Sequence, residues 1–147
     1  MNVYVDADAC PVKDEVYVVA ARYDRPVVLV ANTRLYVPPP FAVEMRVVEG
    51  GFDAADDWIA EHAGEGDLVV TADLPLASRC LAKGARVLGP AGRELTEDSI
   101  GGALATREIH AFLRETGRGS GGPAPFSDRD RSRFRSRLDE LLRPRGR

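Results

Sequence analysis

Short, nearly unbroken apolar runs alternate along this chain with segments whose apolar residues return every three or four positions, the pattern of strands separated by helices. The runs cover residues 3–6, 26–31, 45–48, 67–71 and 85–88. Helical spacing is predicted from Pro11, well placed as a first helical residue, to Arg22. It returns over residues 52–63, where Phe52, Ala55, Ile59 and Ala60 make an apolar stripe, and again over 74–83. A further helix opens with Thr96, Ser99 and Ile100 and continues through Leu104, Ile109 and Leu113 to about Thr116. Ser127, with Asp130 three residues on, reads as the N-cap of a last helix to Leu142. Two segments interrupt the alternation. LYVPPPF carries three consecutive prolines and must be an extended connection, and GRGSGGPAPF at 117–126 reads as a surface loop.

This alternation predicts one α/β domain over residues 1–147, built on a mostly parallel sheet of four or five strands flanked by helices in a three-layer sandwich. Parallel sheets place chemistry at the C-terminal ends of their strands. Those ends carry Asp6 and Asp8, then Asn32, then Asp53 and Asp56, then Thr71 and Asp73. Any one acid here is readable as a helix cap. Together they form a set of mutually repelling carboxylates, which a hard divalent cation such as Mg²⁺ or Mn²⁺ would hold together. Asp6, Asp8, Asp53 and Asp73 are the candidate metal ligands, and Asp6, Asp8, Asp56 and Asp73 the candidate catalytic acids. Asp53 and Asp56, three apart, share one side of a helix, whereas Asp57 points elsewhere into solvent. His62 and His110 fall within helices without a serine or cysteine partner and are read as structural. Cys10, before Pro11 at a helix start, is open to activation by the helix dipole, but packing beneath the site is the preferred reading. Cys80 is expected in the core.

Charge sharpens this picture. Residues 1–75 hold 14 acids and 5 bases, a balance of −9, whereas residues 76–147 hold 9 acids and 15 bases, a balance of +6. Helical phase in the last segment sets Phe134, Leu138 and Leu141 on one stripe and Arg129, Arg133 and Arg137 nearly opposite, a face suited to an anion. The glycine-rich stretch before it lacks the GK[ST] of a P-loop. MNVYVDADACPVK places acids where a secretory leader carries positive charge, and no apolar run approaches a bilayer span, so a cytoplasmic protein without membrane segments is expected. The two cysteines form no CxxC pair, which argues against a disulfide framework or structural zinc.

The motifs YVDADACPV, VLVAN, GFDAADDWI, GDLVVTADLPLA and GGPAPFSDRDRSRF, in this order, resemble the bacterial YaiI/YqxD family from Val3 to about Leu142. The resemblance implies a PIN-like fold related to metal-dependent ribonucleases. Under it, Asp6 is the acid ending the first strand, with Asp8 beside it. Asp53 or Asp56 is the acid of a middle helix, and Thr71-Ala72-Asp73 is the T-x-D after the fourth strand. The chain departs from the PIN-like pattern in having no acid in LPLASRCLAKG, and Asp130 is the substitute if the last helix folds back over the crevice.

The expected function is divalent-metal-dependent hydrolysis of phosphodiesters, with RNA as the substrate class and a homo-oligomer as an open possibility. Asn32 and Thr71 would orient phosphate, and Arg129, Arg131, Arg133 and Arg137 would bind the strand. Two rivals differ in chemistry. A haloacid-dehalogenase-like phosphatase would use Asp6 as nucleophile and Asp8 as acid, but needs a second carboxylate pair that TADLPLA does not supply. A nucleic-acid-binding module would keep the fold without catalysis.

Overall fold

The computed structural model describes residues 1–8, 10–51, 53–101 and 126–144. The expected helix beyond residue 101, with His110, and the connector over 117–125 lie outside these residues. Six strands form one sheet: β1 (Val3–Asp6), β2 (Val27–Ala31), β3 (Glu44–Val47), β4 (Leu68–Val70), β5 (Arg86–Leu88) and β6 (Glu94–Leu95). Their order is β3-β2-β1-β4-β5-β6, parallel throughout except for the antiparallel β5–β6 pair. The sheet is therefore one strand larger than the upper expectation. β6 is only two residues long, too short to show period-2 alternation, and a fork of Arg86 Nε and Nη2 onto Glu94 Oε2 and Oε1 at 2.9 and 3.0 Å joins it to β5.

Side-chain alternation divides the core into two layers. Val3, Val5, Leu29, Leu68 and Val70 face a cluster formed with α1 (Lys13–Arg22) and α4 (Asp128–Leu142). Tyr4, Val28, Val30, Val69 and Val87 face α2 (Ala54–His62) and α3 (Leu74–Ala82). Burial of Leu29, Ile59, Leu68 and Phe134, all at 0 % exposure, stabilises the fold by about 1.5–3 kcal/mol each. The predicted strand at 45–48 lies one residue earlier, and α1 begins at Lys13, after a turn that contains Pro11.

α4 carries the expected capping box. Ser127 Oγ accepts from Asp130 N, and Asp130 Oδ2 accepts from Ser127 N. Phe134, Leu138, Leu141 and Leu142 bury against α1 and the sheet. Polar clasps fix this seat. Asp139 accepts from Arg22, from the Tyr23 hydroxyl at 2.7 Å and from Arg143 at 2.7 Å. Arg131 donates to Glu15 Oε1 at 2.8 Å and to the Pro11 carbonyl at 2.9 Å, and Arg137 donates to Glu94 at 2.8 Å and to Glu140 at 2.8 Å. Gly92, at φ +92°, lets the β5–β6 turn meet this helix, because a Cβ there would stand 2.7 Å from Arg133 C and Phe134 N.

Candidate active site

The strand order reverses beside β1. β1 connects through α1 to β2 on one side, and β4, its other neighbour, begins the opposite half of the sheet. Such a switch point opens a crevice at the C-terminal strand ends. A cavity of about 210 Å³ lies there, lined by Asp6, Cys10, Val70, Thr71, Ala72, Asp73 and Pro90.

Period 2 aims the first side chains. Asp6 follows Tyr4 and Thr71 follows Val69, so both project toward α2 and α3. Thr71 Oγ1 donates to Asp6 Oδ2 at 2.9 Å and accepts from Asp73 N at 3.0 Å. Asp73 is the N-cap of α3, its Oδ1 accepting from Leu76 N at 2.8 Å, and a proline follows in the first turn. TAD thus works as a unit in which the hydroxyl holds one acid and braces the backbone of the other. Among the described residues no hydrogen bond engages Asp6 Oδ1, Asp73 Oδ2 or either oxygen of Asp56.

Asp56 stands in the first turn of α2, near enough to Asp73 and Asp6 for their charges to act on it. Burial, then the charges of Asp73, Asp6, Asp53 and Asp57, push its carboxyl up to about 6. Asp6 is also raised, chiefly by burial and further by Asp73 and Asp8, against the lowering effect of the Thr71 hydrogen bond. The electrostatic core of the site is Asp6, Asp56 and Asp73.

The other predicted residues divide around it. Asp8 is exposed and turned toward β2, where both its oxygens accept from Asn32 N at 3.2 and 3.0 Å. Asn32 therefore reaches the site through its backbone N–H, which is taken by Asp8. Asp53, at the N-cap of α2, is exposed and lines a separate groove with Glu49, Asp57 and Trp58. Asp57 is half-exposed and ion-paired with Arg79 at 2.8 Å, where solvation alone was expected. Asp130 is engaged by the capping box, so it is a cap where the sequence suggested a replacement site acid. Arg131 and Arg137, expected on phosphate, are instead held by carboxylates of this chain, while Arg129 and Arg133 stay exposed. Arg133 packs against Gly92, two residues beyond the crevice-lining Pro90.

Burial pushes the Cys10 thiol up, which fits packing beneath the site and opposes a reactive thiolate. Cys80 is fully buried in the core, its thiol pushed up to about 11. Lys13, unremarked in the sequence pattern, donates from Nζ to the carbonyls of Cys10 at 3.0 Å and Ala7 at 3.5 Å, bracing the loop that follows Asp6. A lysine at the start of the first helix was the available signal.

The sequence profile of the uncharacterised YaiI/YqxD family matches residues 4–144. The chain belongs to this family. Similar members include UPF0178 proteins of Rhodospirillum centenum, 55% identical over 146 residues covering 97% of this chain and 95% of the relative, and of Rhodopseudomonas palustris strain BisB18, 55% identical over 142 residues covering 97% and 92%. A UPF0178 protein of Brucella ovis is 56% identical over 138 residues, covering 93% and 86%. No solved structure matches the chain. Among the described residues no helix is long and apolar enough to cross a membrane.

The residues fit a hard cation in kind. Among the described residues no three His, Cys, Asp or Glu side chains are grouped so that they could hold a metal ion together. Mg²⁺, however, keeps several waters and takes one or two carboxylates beside substrate phosphate. Asp6 and Asp73 line one cavity with Oδ1 and Oδ2, respectively, free of hydrogen bonds among the described residues, and these are the two oxygens such an ion would take.

Proposed function

We propose that this family member is a divalent-metal-dependent phosphodiester hydrolase acting on RNA. The observation that supports it is the pairing of Asp6 and Asp73 on the lining of the switch-point crevice, with the charges of both acting on Asp56 in the first turn of α2.

Asp6 and Asp73 would hold Mg²⁺ or Mn²⁺, which when bound neutralises phosphate oxygens and acidifies water. Asp56, without a hydrogen bond among the described residues and within reach of the charges of Asp73 and Asp6, would take the proton of the attacking water. Thr71 favours the ionised form of Asp6 against the burial that raises it, and orients the carboxylate. Exposed Arg129 and Arg133 attract the strand from the α4 side, by the β5–β6 turn that walls the crevice. Asp6 as a phosphatase nucleophile is disfavoured, because its acid partner would be Asp8, which faces Asn32.

The test is cleavage of a pooled RNA and DNA panel with Mn²⁺ or EDTA, comparing wild type with Asp73→Asn. Mn²⁺-dependent cleavage of RNA by wild type, lost in the variant, supports the reading. Cleavage that survives in EDTA, or that Asp73→Asn leaves intact, refutes it.

A further inference from the structure

On the same face of the sheet, away from the acids, a groove of about 420 Å³ opens between β3 and α2, walled by Asn2, Tyr4, Glu44, Arg46, Trp58 and His62. Trp58 is the chain's single tryptophan. The His62 ring stacks on it with centroids 3.8 Å apart and planes 13° from parallel, held there by Nδ1–H donating to the Trp58 carbonyl at 2.7 Å. The Arg46 guanidinium lies over the indole, 5.4 Å from the ring, and Tyr4 tilts against it at 6.0 Å. Arg46 is half-exposed, and its nearest acid, Glu44, stands at 3.6 Å, a weak tether.

Register ties this groove to the crevice. Asp6 pairs with Val30, and Val30 with Arg46, so Asp6 and Arg46 lie in one row on the same face, two strand spacings or about 10 Å apart. Val30 between them is buried against α2, and a strand joining the two sites passes outside that helix. α2 spans both sites, carrying Asp56 toward one and Trp58 toward the other.

We propose that Arg46, Trp58 and His62 form a base-stacking subsite for a single-stranded RNA whose backbone continues to the acid crevice. This rests on the reading of the ligand as RNA. The exposed imidazole of His62, backed by the indole it stacks on, offers a flat surface to a base, and Arg46 can swing from Glu44 onto the incoming base or its phosphate. Stacking of this kind tolerates any base, because every base has a π-face. The subsite thereby selects single strands, whose bases are free to leave their own stack, over duplexes.

Trp58 fluorescence reads the contact directly. With EDTA present to prevent turnover, a short oligouridylate and an abasic ribose-phosphate oligomer of equal length are titrated into wild type, Arg46→Gln and Trp58→Leu, with binding followed separately by anisotropy of labelled oligomers. The expected result is quenching of Trp58 by oligouridylate alone, with affinity roughly 5- to 100-fold weaker for the abasic oligomer or for either variant. Arg46 is exposed on an edge strand, so Arg46→Gln stays informative if Trp58→Leu fails to fold. Equal affinity for both oligomers without quenching overturns the subsite and leaves the RNA reading standing. Binding of neither oligomer also overturns the subsite, and the RNA reading, whose crevice is stripped of its cation in EDTA, is then decided by the Mn²⁺ cleavage panel.

Discussion

Thr71 Oγ1 donates to Asp6 Oδ2 at 2.9 Å, joining the end of β4 to the end of β1 across the point where the sheet reverses order. Both residues are reached by continuing the alternation of their strands, so the backbone fixes the pair before any site chemistry applies. The bond lowers an acid that burial raises. Thr71→Val removes the donor from a position only 2 % exposed, and is expected to cost about 1 kcal/mol of stability. It should also move Asp6 further up, shifting the acid limb of any pH–activity profile to higher pH. Carboxyl chemical shifts across a pH titration check the second effect, and an unshifted Asp6 would show that the hydroxyl only packs.

Asp56 is the cleanest probe of burial and repulsion acting together on one acid, since no cap or ion pair among the described residues complicates it. Its folded carboxyl, at about 6, lies above the ordinary 3.8, so the folded state binds the extra proton between those values. Stability in EDTA therefore falls as pH rises through this window, and the cost is fully present above it. Asp56→Asn should raise the melting temperature by a few degrees at pH 7.5 and leave it nearly unchanged at pH 4. Equal midpoints at both pH values would remove Asp56 from the cluster.

Asp139 behaves with the opposite sign. The Tyr23 hydroxyl, then Arg143 and Arg22, hold its carboxyl below the ordinary range. Its contribution is present above the unfolded pKa and is lost as pH falls through the lower folded one. Asp139→Asn should lower the melting temperature at neutral pH, and the gap to wild type should close in acid. A gap that persists in strong acid would make the clasp one of packing alone.

The arginines of α4 separate into two tasks. Arg129→Gln with Arg133→Gln should weaken RNA binding and reduce the log–log salt slope by about 0.7 for each lost phosphate contact, with the fold intact. Arg131→Gln and Arg137→Gln should instead lower thermal stability, because Glu15 loses its partner and Glu94 is left with Arg86 alone. Salt-dependent anisotropy beside melting curves distinguishes the pairs. The reverse pattern would return Arg131 and Arg137 to the RNA face.

Much of this was legible because the decisive rules are local. Period-2 runs ending in Asp6 and at Thr71-Ala72-Asp73 placed both acids at strand ends, and the α4 stripe of Phe134, Leu138 and Leu141 emerged buried as its phase required. Failures came where a local rule stopped or a partner was distant. Asp8 reads as a same-face companion of Asp6 only while the strand lasts; β1 ends at Asp6 and a turn carries Asp8 toward Asn32. Spacing could not choose between Asp53 and Asp56, a choice made by the cap position of α2, which leaves Asp53 exposed and sets Asp56 beside Asp73. The engagement of Arg131 by Glu15 crosses 116 residues, and no helical wheel contains it.

Metal binding at the acid crevice is the claim on which the hydrolase reading stands. Titration of Mn²⁺ into the protein, followed by loss of the free-ion electron paramagnetic resonance signal, measures it without substrate or turnover. The account predicts saturable uptake by wild type that Asp6→Asn abolishes, with Mg²⁺ competing for the same site. A free-ion signal that stays proportional to total Mn²⁺, or uptake unaffected by Asp6→Asn in a folded protein, would contradict it.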